Sequence, residues 1–369
     1  MTHIGIDVHS RASQICELDD KGDVIFNTSI DSKPAVFKRF FANREPCLIA
    51  MEATGSTPWI ETLLRDLGHD VLVLGANEVK IIGASVKKTD ANDAEVLARL
   101  LSLDRRFLNP VAPKSKEQRL IRANLSCRAA LVKSRTQAIN CVRGLLRLWG
   151  VKVPGTNADT FPERVAELSL PEEISEALGS AVEGLLTHIT AMTAQLKDYD
   201  KRLKKMAASD DAAQLLQTIP GVGPIIALSF TTVIGEASRF QKSARVGAYF
   251  GLVPRVRASA NVCHMGTITK RGDGEMRRLL VQGAHMHLVH GKDTALCLWA
   301  KRLEARVGRR KAVVALARKL AVLMHRMLVT GMVYERHPGK DEEKELVSQD
   351  DTTSNAMNIG AVEEAKMSA

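Results

Sequence analysis

No run of about 18 uncharged apolar residues occurs in the chain, which leaves no candidate transmembrane helix. The opening stretch "MTHIGIDVHS" lacks the charged-then-apolar layout of a secretory signal; it reads directly as a strand, and the expected location is the cytoplasm. The six cysteines (Cys16, Cys47, Cys127, Cys141, Cys263 and Cys297) show no C-x-x-C spacing, which argues for reduced thiols and against a zinc site or a disulfide framework. Tyrosine is scarce: Tyr199, Tyr249 and Tyr334 are the whole stock of phenolic nucleophiles. Tyr249, flanked by apolar residues in "VGAYFGLVP", reads as core. Proline is missing between Pro113 and Pro154, so that stretch is free to run as helix.

What remains is an ordinary globular composition, 45% hydrophobic and 25% charged, in 369 residues, enough for two or three domains. The net charge of +10 favours a polyanionic partner. Its placement says more than its size. The stretch "AKRLEARVGRRKAVVALARKL" (300–320) carries Lys301, Arg302, Arg306, Arg309, Arg310, Lys311, Arg318 and Lys319 against one acid, Glu304. The segment 337–369 is acidic, polar and poor in apolar residues, and is expected to be disordered. The folded part is therefore more basic than the total.

Short apolar runs at 3–8, 13–19 and 23–29 read as three successive strands. Helices at 34–44 and 57–68 then alternate with strands at 47–53 and 70–76. This order predicts a mixed α/β layer domain over residues 1–110. Residues 111–209 read as two long helices, about 115–149 and 172–207, forming an antiparallel hairpin or a dimerising coiled coil. Residues 210–336 read as helical with short connections. They open on "LLQTIPGVGPIIALSF", which resembles a helix-hairpin-helix; Gly221 and Gly223 would expose backbone N–H groups to a DNA phosphate, or simply make a tight turn. His285, His287 and His290 in "HMHLVH" sit in an apolar helix without companion ligands, which favours packing or phosphate contact over metal binding.

Four acids stand out. Asp7 ends the first strand in "HIGIDVHS", and Glu52 ends another in "LIAMEATG". A carboxylate on an otherwise buried strand is costly unless it is paired or holds a cation. In "KKTDANDAEVLARLL" (87–101), Asp90 and Asp93 project from one helix face, one turn apart. Singly, each is explicable as a cap or surface charge. Brought together, the four would repel strongly unless one or two divalent ions such as Mg²⁺ or Mn²⁺ relieved the field. Two such ions flanking a phosphate suit phosphoryl transfer, an arrangement of the ribonuclease H type.

The segments "GIDVHS", "MEATG" and "KKTDANDAE" resemble the three acidic motifs of DEDD transposases related to Piv-type DNA invertases. "IPGVGPIIA", "FQKSARVGAYFGLVPR" and "GTITKRGDGEMRRLLVQGA" are similar to that family's C-terminal transposase domain, and the match spans roughly residues 3–330. The resemblance implies an N-terminal RuvC-like nuclease domain that cooperates with a C-terminal serine. It also implies a structured bridge RNA that specifies donor and target DNA. The serine lies shortly after the G-L-V-P segment, typically in Ser-Ser-Gly. Here Ser259 is the serine of that window, with Ala258 and Ala260 replacing the first serine and the glycine. Arg255, Arg257, Lys270 and Arg271 lie near it in sequence and could bind a phosphate and stabilise developing charge.

The expected activity is thus DNA cutting and rejoining, by a homo-oligomer that is a dimer or, on DNA, a tetramer, with the acids of one subunit meeting Ser259 of another. Two other readings stay open. One is a RuvC-like junction-resolving nuclease that uses water and needs no serine. The other is a non-catalytic nucleic-acid-binding protein, which four intact acids that repel phosphate argue against.

Overall fold

Isoleucines at alternate positions fix how the first strand sits. In β1 (His3–Asp7), Ile4 and Ile6 are fully buried on one face, so Gly5 and Asp7 turn to the other. β1 is the middle strand of a five-stranded sheet built with β2 (Ala12–Leu18), β3 (Val24–Asp31), β4 (Leu48–Glu52) and β5 (Asp70–Leu74). The order is β3-β2-β1-β4-β5; β1–β2 and β2–β3 are antiparallel, while β1–β4 and β4–β5 are parallel. This computed structural model describes residues 2–75, 89–101, 108, 110, 114–168, 172–259 and 262–337, with the backbone alone for 173–178, 257–259 and 262–265.

Helices cover both faces of the sheet. α1 (Pro34–Phe41) and α2 (Thr57–Asp66) each begin with proline in the first turn, where a missing N–H costs nothing. Phe37, Phe41, Ile60 and Leu64 pack on Ile4, Ile6, Ile49 and Met51. On the opposite face lies α3 (Asp90–Leu100), capped by the Thr89 side chain, which accepts a hydrogen bond from Asn92 N at 3.3 Å. Its Ala94 and Ala98 meet Cys16 and Leu18 of β2. Its Leu97 and Leu100 meet Leu48 and Ala50 of β4 with Leu72 and Leu74 of β5. The result is an α/β layer structure around a mixed sheet.

Residues 1–115 and 116–369 form two compact units. In the second, α4 (Lys116–Leu148) and α6 (Glu172–Ala208) run antiparallel, with the short α5 (Phe161–Ala166) between them. Arg128 pairs with Asp200 at 2.5 Å, and Arg135 donates to Thr193 at 3.1 Å. Ile139, Val142 and Leu146 interlock with Val182, Ile189 and Met192 along the seam. At the other end of the pair, Leu203 and Ala207 join the core built by the C-terminal helices. These are α7 (Asp211–Gln217), α8 (Pro224–Ile234), α9 (Ala244–Tyr249), α10 (Gly274–His290), α11 (Ala295–Val307) and α12 (Arg309–Thr330).

Two expectations are corrected here. The region 210–336 is not helical throughout: β6 (Pro254–Ser259) and β7 (Val262–Ile268) pair as an antiparallel ribbon. Val256, Val262, Thr267 and Ile268 give this stretch β-branched character that a helical reading passed over. Tyr249 is not core. Its residue is 38% exposed, with the Arg239 guanidinium 4.9 Å above the ring, because the neighbouring Phe250 takes the buried place. Residues 338–369, nearly all of the segment expected to be disordered, lie outside the described residues.

Candidate metal centre and nucleic-acid surface

One close approach sets Asp7 beside Asp90, and the described geometry brings these two, with His9 but without Glu52 or Asp93, within ligand distance of one another. A Cβ built on Gly5 would stand 2.0 Å from the carbonyl oxygen of Ala94 and 2.4 Å from the amide nitrogen of Ala98. Only glycine lets α3 lie that near β1. Asp7 is two residues along the same face as Gly5, so it emerges beside the first turn of α3, where Asp90 and Asp93 stand. Glu52 follows from register. Ile6 pairs with Met51 in the parallel β1–β4 ladder, which puts Asp7 and Glu52 next in line at neighbouring strand ends, about 4.8 Å between strand axes. Leu48 and Ala50 face α3, and Glu52 shares their parity.

Asp7 is buried, whereas Asp90 is exposed and Glu52 and Asp93 are half-buried. Burial is the main cause that pushes the Asp7 carboxyl above its ordinary range. The His9 imidazole opposes that shift, and the charges of Asp90 and Asp93 push the group further up. Asp90 and Asp93 are thus both near enough for their charge to act on Asp7.

His9 is the site residue that sequence reasoning missed. Its Nε2 lies 3.0 Å from Asp7 Oδ2 and 3.5 Å from Asp90 Oδ1. Asp7, His9 and Asp90 each offer one ligand atom, all within 4.8 Å of one another. Ligands bound at about 2.1 Å to one ion stand roughly 3 to 4 Å apart, so this donor set fits a divalent cation with little closure. Oxygen-rich donors with one nitrogen suit Mg²⁺ or, better, a transition ion such as Mn²⁺. The available signal was a histidine two residues after the strand-end aspartate in "GIDVHS".

Ser259 closes β6, where it pairs with Val262; its side chain and that of Arg257 lie outside the described residues. Arg255 is exposed and reaches the Thr269 carbonyl at 3.5 Å. Lys270 and Arg271 are exposed on the turn that follows β7. Lys270 has φ +57°, the one positive value at a non-glycine among the described residues, a conformation that costs about 1–2 kcal/mol. This ribbon and the acids belong to different compact units.

Gly221 takes φ +88°, and a Cβ there would stand 2.5 Å from the backbone nitrogen of His287. The glycine is thus explained by packing of its turn on α10. His287 fastens the same turn: its Nδ1 donates to the Pro220 carbonyl at 2.7 Å, and its Nε2 lies 3.0 Å from the Thr294 hydroxyl. Of the three clustered histidines, His287 is buried packing, while His285 and His290 are exposed. Gly223 is the N-cap of α8. Arg309, Arg310 and Lys311 begin α12, all exposed, with no acid in that first turn and no side-chain cap.

A DEDD transposase model of the IS110 type matches residues 4–149, and a model of the IS116/IS110/IS902 transposase family matches residues 213–296. The chain belongs to the IS116/IS110/IS902 transposase family. The first match contains the four acids, and the second contains Gly221, Gly223, Arg255, Ser259 and Lys270. This transposase is 32% identical to the transposase for insertion sequence element IS1111A of Coxiella burnetii, over 90% of each chain. It is 30% identical to a probable family 20 transposase of Pseudomonas aeruginosa, over 89% of this chain and 97% of that one. A pilin gene-inverting protein of Moraxella lacunata is 31% identical over 118 residues, or 31% of this chain and 36% of its own. No helix among the described residues is long and apolar enough to cross a membrane.

Proposed function

We propose that this transposase cuts and rejoins DNA with two sets of residues: a four-acid centre for one or two divalent ions, Mg²⁺ or Mn²⁺, and a serine nucleophile. The observation that carries the reading is the buried Asp7 at the end of the central strand, facing Asp90 across a gap of ligand size. In this reading the sheet unit is a RuvC-like, ribonuclease H-like domain. Asp7, Glu52, Asp90 and Asp93 hold the cation, which when bound polarises a phosphate and stabilises charge on its oxygens.

Ser259 attacks the scissile phosphorus through Oγ. Its proton leaves to a base or to solvent, a phosphorus–oxygen bond forms, and the bond to the sugar oxygen breaks; that oxygen departs with a proton. The serine ester keeps the energy of the broken linkage. Attack by the sugar hydroxyl of a new strand end reseals the DNA and returns the serine. Arg255, Arg257, Lys270 and Arg271 hold the phosphate.

The basic surface supports a nucleic-acid partner on physical grounds. A helix N-terminus carries partial positive charge, so Arg309, Arg310 and Lys311 at the start of α12 add like charge to it. A phosphate lying there would be met by cationic side chains and free helix amides together. Gly223, at the N-terminus of α8, offers a second such contact beside Gly221. The partners proposed are the element's DNA ends and target, a structured non-coding RNA as guide, and further copies of this chain in a dimer or tetramer. Functionally we divide the chain at about residues 110, 209 and 336.

The test is a labelled duplex carrying an element end, incubated with the protein, guide RNA and Mg²⁺. Cleavage with a detergent-stable protein–DNA adduct supports the reading. Cleavage with no adduct indicates hydrolysis by water instead.

A further inference from the structure

We propose that His9 is a nitrogen ligand of the bound cation and tilts the centre towards Mn²⁺ over Mg²⁺. The inference rests on the metal reading above and adds a residue outside the four acids.

The geometry around His9 is that of a ligand held ready. Its Nε2 stands 3.0 and 3.5 Å from one oxygen each of Asp7 and Asp90. Neighbouring ligands on one ion with bonds of about 2.1 Å are separated by about 3 Å. A cation settling between the two carboxylates would therefore meet this nitrogen without any change of backbone. The imidazole is half exposed, so packing alone does not confine it.

The backbone beneath the ring is anchored. The Ser32 hydroxyl donates to the His9 carbonyl at 2.6 Å, Ser32 N donates to the Arg11 carbonyl at 2.8 Å, and Ser32 Oγ lies 2.7 Å from Ser13 Oγ. Residues 9–11 are thereby tied to the end of β3 and to β2. These bonds hold the backbone that carries His9, and the ring itself is placed by its Nε2 contacts with Asp7 and Asp90.

The nitrogen has a consequence for ion choice. Mg²⁺ prefers an all-oxygen octahedron and gives up water reluctantly, whereas first-row transition ions accept imidazole readily. Carboxylates accept both Mg²⁺ and Mn²⁺. One imidazole moves the balance to Mn²⁺.

The experiment is Mn²⁺ binding to the full chain without nucleic acid, read by electron spin echo spectroscopy and by competition with Mg²⁺. Wild type should show nitrogen coupling to bound Mn²⁺. His9→Gln should lose that coupling and about tenfold in Mn²⁺ affinity, with Mg²⁺ affinity nearly unchanged. No nitrogen coupling in wild type, or an unchanged Mn²⁺ to Mg²⁺ ratio in His9→Gln, overturns the role of His9 if Asp7→Asn still removes binding. Wild type that binds no Mn²⁺, or Asp7→Asn that binds it equally, overturns the metal reading and His9 with it.

Discussion

Gly5 and Ala94 meet backbone to backbone: a Cβ on Gly5 would stand 2.0 Å from the Ala94 carbonyl oxygen. That contact brings the helix bearing Asp90 and Asp93 against the strand bearing Asp7. Asp7 and Asp90 are thus set side by side through a residue with no side chain.

Gly5→Ala should therefore damage the centre without touching a ligand. The added methyl must push α3 away from β1, at a cost of about 1–3 kcal/mol or more. Divalent-ion affinity should fall with the stability, although all four acids remain. Chemical denaturation and a Mn²⁺ titration would check both, and a variant with normal stability and affinity would contradict the packing account.

Asp7→Asn separates stability from chemistry. The folded protein raises the Asp7 carboxyl above its ordinary range, mainly by burial, so ionising it costs stability that builds as pH rises past the ordinary carboxyl value and is complete above the raised one. Removing the charge should leave the ion-free protein at neutral pH no less stable than wild type. The rise in melting temperature that Mg²⁺ gives wild type should vanish, and strand cleavage should drop by at least about 100-fold. Melting curves with and without Mg²⁺ give the first two results. Retained Mg²⁺ stabilisation would remove Asp7 from the centre.

Much of the fold was legible because each face of the sheet leaves its own pattern. Ile4 and Ile6 around Gly5 announce a strand with one apolar face, and β1 to β5 fall within a residue or two of the runs that suggested them. Asp7 and Glu52 could be singled out because acids are rare beside such runs. Their common face with α3 could not, since it depends on Gly5 touching Ala94 across about 90 residues of sequence. His9 escaped notice for the same reason: its neighbour Asp90 is distant in the chain. The β6–β7 ribbon was missed because its arginines and small residues blur the alternation. Gly221 looked like a phosphate-turn glycine, and its contact with His287 shows a packing need that sequence alone does not reveal.

Acid should weaken the C-terminal core through two histidines. Burial is the main cause that lowers His287 and His325 below their ordinary value near 6.5, and both are held neutral in the fold. The unfolded chain takes up protons first as pH falls. Stability is therefore complete above about pH 6.5 and is lost as pH drops towards the lower folded values. Urea midpoints measured from pH 7.5 to 5.5 should fall, and less steeply in His287→Gln. Identical slopes in the two proteins would exclude His287 as a source.

Nucleic-acid affinity should depend steeply on salt. Replacing Arg309, Arg310 and Lys311 together by alanine should lessen the slope of log K against log salt by about 2 to 3, if each meets one phosphate. Fluorescence anisotropy at several ionic strengths measures it. An unaltered slope would move the contact away from the start of α12.

The central claim joins the acid centre to Ser259 in one reaction, and covalent capture on labelled element-end DNA addresses both at once. Wild type with guide RNA and Mg²⁺ should yield a detergent-stable protein–DNA adduct. Ser259→Ala and Asp7→Asn should each yield none while still binding DNA, and chelation of Mg²⁺ should abolish the wild-type adduct. An adduct of equal yield in Ser259→Ala, or one indifferent to both chelation and the Asp7 substitution, would contradict the account.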